Sequence, residues 1–172
     1  MAALILLDVD GVLNPSVSSD RALGSHRLML EPEREELVHR LAAVGTIVWA
    51  TTWPPKLTSV LADDLGLPAG TEAIVFGGGL PHDPRFPGQT GKLQPVAVWL
   101  ERAGERFDID AVVWIDDNLR GDAVDWAREQ EIPFHLVVPE SAAGLTADEV
   151  TGAEAFLAGL GAQSTTHGDI RE

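Results

Sequence analysis

A three-layered α/β fold is what this sequence predicts, and two patterns predict it. Short runs rich in Val, Ile and Leu recur along the chain, and segments with helical apolar spacing separate them. Such alternation implies right-handed crossovers and a mainly parallel sheet covered by helices on both faces. A third observation places the function: polar residues interrupt the pattern directly after three of the strand-like runs.

The first strand is read from Ala3 to Leu7 and stops at Asp8. The apolar run Ala2–Leu7 is six residues long, far short of a membrane span of about 20. It carries no basic leader or cleavage site, so no signal peptide is expected and the cytoplasm is the expected compartment. Residues 14–30 fit neither period and are expected to loop over the sheet edge. Glu31-Pro32-Glu33 opens the first helix with acids and a proline suited to the first turn, Leu37, Leu41 and Val44 keep helical spacing, and Gly45 suits the stop.

Thr46–Ala50 reads as the second strand, followed by Thr51 and Thr52. Pro54-Pro55 opens a helix through Leu57, Val60, Leu61 and Leu65 that closes at Gly66, and Ala73–Phe76 reads as a third strand. Residues 77–91, rich in Gly and Pro, are a second expected loop. A helix from about Lys92 to Ala103 has Leu93, Val96 and Leu100 on one face. Ala111–Ile115 is the fourth strand, ending at Asp116-Asp117; a helix from about Gly121 to Gln130 follows, then a fifth strand, Phe134–Val138. Thr146-Ala-Asp-Glu149 has capping-box spacing and starts a last helix to about Leu160. The polar segment from Gly161 is expected to be a mobile tail, leaving residues 1–160 as one domain.

Composition narrows the function classes. A chain of 172 residues with a hydrophobic fraction of 45% can bury one substantial core. The absence of cysteine excludes disulfides and thiolate metal sites. A formal net charge of −15 repels nucleic-acid backbones and anionic lipids, and no run of Lys or Arg offsets it, so nucleic-acid and membrane partners are disfavoured.

Ligands of open parallel sheets bind beyond the carboxyl ends of the strands. Asp8 and Asp10, Thr51, and Asp116 and Asp117 all lie there. Four converging carboxylates repel one another by several kcal/mol in a poorly solvated site, on the order expected for unit charges a few ångströms apart. A divalent cation removes the conflict. With oxygen ligands and no Cys or clustered His, Mg²⁺ is the expected ion, shared with a phosphate oxygen. Lys92, at a helix start, adds a positive charge for a bound phosphate.

At these residues the chain resembles the haloacid dehalogenase superfamily. Asp8-Val9-Asp10-Gly11-Val12-Leu13-Asn14 is similar to its first motif, the strand ending in Thr51 to the second, Lys92 in Gly91-Lys92-Leu93 to the third, and Val112-Val113-Trp114-Ile115-Asp116-Asp117 to the fourth. The resemblance implies a Rossmann-like sandwich with a five-stranded sheet in the order 3-2-1-4-5, a nucleophile at Asp8, and a general acid and base at Asp10. It implies phosphate binding by Thr51, Lys92 and the Gly11 turn. It also implies a metal held by Asp8, the Asp10 carbonyl, and Asp116 and Asp117, one of the last two directly. An acid at position 10 points to phosphate-ester hydrolysis rather than dehalogenation. The short intervals between motifs resemble the capless class, whose open sites accept macromolecules or borrow a lid from an oligomer partner.

The physical reasons stand beside the resemblance. A carboxylate attacks an anionic phosphorus centre only if the repulsion is screened, which a metal does. Asp10 gives a proton to the leaving oxygen and later takes one from water. Thr51 offers a hydroxyl to a phosphoryl oxygen, and Lys92 balances transition-state charge. Asn14, Trp53, His82, Arg85 and Arg120 flank these positions and are read as a substrate rim or as plain turn and loop residues. A receiver domain would place the acidic pair on the first strand and the lysine last; here Lys92 precedes Asp116. The expected activity is Mg²⁺-dependent hydrolysis of a phosphomonoester of unknown size through an aspartyl-phosphate at Asp8. The alternatives are a non-catalytic or regulatory module with the same site, or a phosphotransferase or mutase using the same intermediate.

Overall fold

The structure, a computed structural model, describes residues 2–15, 30–76 and 89–166. Its elements run β1 (Ala3–Leu7), α1 (Pro32–Val44), β2 (Thr46–Trp49), α2 (Pro55–Asp64), α3 (Leu93–Gly104), β3 (Ala111–Ile115), α4 (Gly121–Arg128), β4 (Phe134–Val137) and α5 (Ala147–Thr166). The strands form one parallel sheet in the order β2-β1-β3-β4, with Ile5 level with Ile47 on one side and Val113 on the other.

Alternation along the strands divides the core into two halves. Ile5, Leu7, Ile47, Trp49, Val113 and Ile115 pack with Val38 and Leu41 of α1, Leu61 of α2, and Val150 and Leu157 of α5. Leu4, Leu6, Val48, Val112 and Trp114 face the other way, onto Val96 and Leu100 of α3 and Ala123 of α4. β1 and β3 are buried at every position, which is why they read as unbroken apolar runs rather than alternating ones. Among the described residues no helix is long and apolar enough to cross a membrane.

The sheet has four strands where five were expected. Ala73–Phe76 makes a single parallel bridge, Ala73 opposite Trp49. Trp49 donates to the Glu72 carbonyl at 2.9 Å and accepts from Ile74 at 2.8 Å. The pairing goes no further because β2 itself ends there: Ala50 donates inward, to Leu7, at 2.9 Å, and the chain then turns at Thr51. Val75, the next residue, is 70% exposed. The four strands therefore follow one another as 2-1-4-5 of the expected order, and the expected third contributes only its bridge to β2.

The last helix corrects a second expectation. Its start is a capping box: the Thr146 N–H and hydroxyl both donate to Glu149 Oε2, at 2.8 and 2.7 Å. It does not stop near Leu160 but runs to Thr166, so the first six residues of the expected tail are helical. A glycine ends a helix by turning left-handed, and Gly161 is not among the glycines with positive φ. Left inside the helix it costs about 1 kcal/mol relative to alanine.

Arg34, on α1, fastens the loop entering α5 to the turn after β1. Its guanidinium donates to the carbonyls of Val12 and Leu145 at 3.3 Å and of Ala143 at 2.7 Å. Gly144 lies against it with φ +70°, where a Cβ would meet both Arg34 and the Val12 carbonyl.

Candidate functional site

The chain leaves β1 for β2 on one side and later enters β3 on the other, so the strand order reverses between β1 and β3. That reversal opens a crevice at their carboxyl ends. Asp8 and Asp116 are the residues that follow the two strands. Each still donates one ladder-like bond, Asp8 to the Ile115 carbonyl at 3.0 Å and Asp116 to Val137 at 3.1 Å, so their side chains are aimed by the sheet itself.

Lys92, at the N-terminus of α3, reaches between them. Its Nζ lies 2.5 Å from Asp8 Oδ2 and 2.8 Å from Asp116 Oδ2. All three residues are buried, at 8%, 4% and 1% exposure in the order Lys92, Asp8, Asp116. Burial pushes the Asp8 carboxyl up to about 7, with Lys92 pulling it down and Asp116 adding to the rise. Burial works against the Lys92 ammonium, but the two carboxylates outweigh it and hold its pKa above the ordinary lysine value.

One ammonium does not balance the acids gathered here. Carboxylate oxygens of Asp8, Asp116 and Asp117 all lie within 4.8 Å of one another. Asp116 Oδ1 accepts from the Asn118 N–H at 2.9 Å, whereas Oδ2, close as it is to Lys92, accepts no well-angled hydrogen bond. Asp117 is steadied by the Ser141 hydroxyl, which donates to its Oδ2 at 2.6 Å. Three hard oxygen donors, surplus negative charge and a buried acceptor with spare capacity fit a divalent cation such as Mg²⁺. The Asp10 side chain lies outside this group.

Asp10 instead takes two hydrogen bonds on its carboxylate, from Trp53 Nε1 to Oδ2 at 2.8 Å and from Asn14 Nδ2 to Oδ1 at 3.3 Å. The turn that presents it is tight: Leu13 and Asn14 both donate to the Val9 carbonyl, at 2.8 and 2.9 Å, and Gly11 donates to the Asn14 carbonyl at 3.0 Å. Gly11 has φ +77°, and a Cβ there would sit on the Asp117 carboxylate. Gly11→Ala is therefore expected to cost about 1–2 kcal/mol from backbone strain and to weaken Mg²⁺ binding as Asp117 is displaced. Urea unfolding and Mg²⁺ titration measure the two; unchanged metal affinity would argue against the contact.

Thr51 is buried just beyond β2, and its Oγ1 accepts from the Trp53 N–H at 3.4 Å. Thr52 is exposed, and no side chain caps α2. The Arg120 side chain is exposed and donates to Asn118 Oδ1 at 2.5 Å, beside the acidic pair. His82 and Arg85 lie outside the described residues.

Two residues the sequence did not single out hold Lys92 in place. Thr90 donates its N–H to Asp122 Oδ2 at 2.9 Å and its hydroxyl to Asp122 Oδ1 at 2.8 Å, and its Oγ1 accepts from the Arg120 N–H at 2.7 Å. The approach to α3 is thereby clamped to the loop that follows Asp116 and Asp117. In the sequence Asp122 reads as an ordinary acid in the first turn of a helix, and nothing there pairs it with Thr90.

A family described as the HAD domain in Swiss Army Knife RNA repair proteins matches residues 4–150, from the start of β1 into α5. The chain belongs to this family. Its HAD domain thus includes every strand and the whole acidic crevice. Membership implies a phosphoesterase-like function, and HAD domains typically use a divalent metal, for which the Asp8, Asp116 and Asp117 group offers the ligands. Searches of curated proteins and of solved structures give no match.

Proposed function

We propose that this HAD domain is a Mg²⁺-dependent phosphomonoester hydrolase that works through an aspartyl-phosphate on Asp8. The observation that supports it most is the buried meeting of Asp8, Asp116 and Lys92 at the mouth of the β1–β3 crevice. Asp8, Asp116, Asp117 and the Asp10 carbonyl would hold the Mg²⁺, which would supply the screening that lets two anions approach. Asp8 attacks phosphorus as the ester P–O bond breaks, and Asp10 protonates the departing oxygen. Water then attacks the aspartyl-phosphate, Asp10 takes its proton, and inorganic phosphate leaves with Asp8 restored. Lys92, the Thr51 hydroxyl and the Gly11 turn steady the phosphoryl oxygens.

The family is described from RNA repair proteins, and on that ground a phosphate at an RNA end is one substrate to test. A net charge of −15 constrains how it would bind: a short terminus entering the crevice, with little contact along a backbone. The test is phosphate release from a panel of p-nitrophenyl phosphate, nucleotides, phosphopeptides and 3′- or 5′-phosphorylated oligoribonucleotides. Turnover is expected with Mg²⁺ and not with EDTA. Turnover indifferent to EDTA, or none on any member while fluoride adducts fail to form on Asp8, would refute the proposal. Transfer of phosphate to added alcohols or sugars would convert it to a phosphotransferase.

A further inference from the structure

We infer that Trp53 is a positioning residue for the leaving-group step: its indole N–H fixes the Asp10 carboxylate so that one chosen oxygen, Oδ1, meets the substrate. The inference rests on the reading of Asp10 as the general acid and base, and adds to it the group that aims Asp10 and the oxygen that acts.

The geometry is specific. Trp53 follows the β2 turn and is 43 residues from Asp10, yet its Nε1 lies 2.8 Å from Oδ2. Its ring packs partly against the core beneath the crevice, so the donor is mounted on a rigid plate rather than on a flexible stem. The opposite oxygen is held more loosely, 3.3 Å from the Asn14 amide. The two partners are not equivalent in kind. An indole N–H only donates, so it never accepts a proton-bearing oxygen, whereas an amide offers both a donor and an acceptor.

Oδ2 therefore stays an acceptor through both halves of the reaction. When Asp10 carries a proton, the proton sits on Oδ1, from which it passes to the ester oxygen as the P–O bond breaks and Asp8 gains the phosphoryl group. When water attacks the aspartyl-phosphate, its proton returns to Oδ1 and phosphate departs. Trp53 exchanges no proton in either step. It prevents the carboxylate from rotating, and the cost of losing it falls where proton delivery limits the rate.

The experiment compares Trp53→Phe, which keeps a ring in place and removes only the donor, with the unaltered chain on esters of good and poor leaving groups, all with Mg²⁺. For an alkyl phosphate, kcat/KM, which reports the steps up to departure of the leaving group, is expected to fall about 10- to 100-fold, within the span that general acid catalysis supplies. For p-nitrophenyl phosphate, whose oxygen leaves without a proton, kcat/KM should stay within about threefold. Equal losses on both esters, or no loss on either, overturn the inference. Asp8→Asn is run beside it. If that variant still turns over, the aspartyl-phosphate reading fails and this inference fails with it; if it is silent while Trp53→Phe matches the unaltered chain, only the role of Trp53 is lost. Should Trp53→Phe not fold, ¹⁵N-tryptophan NMR on the native sequence decides. The Trp53 Nε1–H is expected to resist solvent exchange and to lose that protection in Asp10→Ala; an indole proton that exchanges freely in the native chain overturns the inference.

Discussion

Asp8→Asn is expected to abolish phosphate release, by at least about 10⁴-fold in kcat, or more than about 5 kcal/mol of barrier. The amide keeps the volume of the carboxylate and loses the nucleophile. The same change should alter stability in a way no ordinary loss of function would. A carboxyl whose folded-state pKa is about 7, against an ordinary 3.8, binds its proton more tightly in the native protein than in the unfolded chain. Its contribution to stability is full below about pH 4, fades as the pH rises through the window to about 7, and is gone above it. The difference is on the order of 4 kcal/mol across that window in the metal-free protein. Asparagine does not titrate, so Asp8→Asn should flatten this part of the profile, and Mg²⁺ should stabilise the native sequence more at pH 8 than at pH 4. Urea unfolding from pH 4 to 8 with EDTA measures it; parallel profiles for the two proteins would show that Asp8 is not strained by its surroundings.

Lys92→Met is the second large effect. Its ammonium is the cation within ion-pair distance of both Asp8 and Asp116. Removing one partner of a buried ion pair leaves uncompensated charge and costs about 3–5 kcal/mol. The loss should be greatest at neutral pH without metal, smaller at pH 4 where Asp8 takes up a proton, and partly recovered by Mg²⁺. Turnover is expected to fall about 10²- to 10³-fold, as for loss of one preorganised donor to a developing charge. A variant equally destabilised at pH 4 and pH 8 would show that Lys92 serves packing rather than charge.

What the sequence made legible follows from where its signals are local. β1 and β3 are buried at every position, so their apolar runs end where the polar cluster begins, and Asp8, Thr51 and Asp116 could be placed at one edge from composition alone. Pro32 and Gly45 punctuate α1 at its true ends for similar reasons. The fate of the expected third strand was illegible because Ala73–Phe76 has the composition of a strand, while its pairing depended on how far β2 extended beyond Trp49. The end of α5 was misread because the residues from Gly161 are polar and read as a tail, whereas the helix continues to Thr166. Within the site, the acids and the lysine that come together could be named from the sequence, and the side chains that hold them could not. Trp53 to Asp10, Asp122 to Thr90 and Ser141 to Asp117 are side-chain bonds spanning 43, 32 and 24 residues, and no spacing rule reports such encounters.

The Thr90–Asp122 clamp has a bearing on how this scaffold tolerates change. Because the hydroxyl and N–H of Thr90 are anchored to the start of α4, the residues leading into the helix that carries Lys92 are tied to the segment that follows Asp116 and Asp117. Lysine and acids are thus expected to move as one block, so that a disturbance elsewhere displaces the cluster without altering the spacing of its charges.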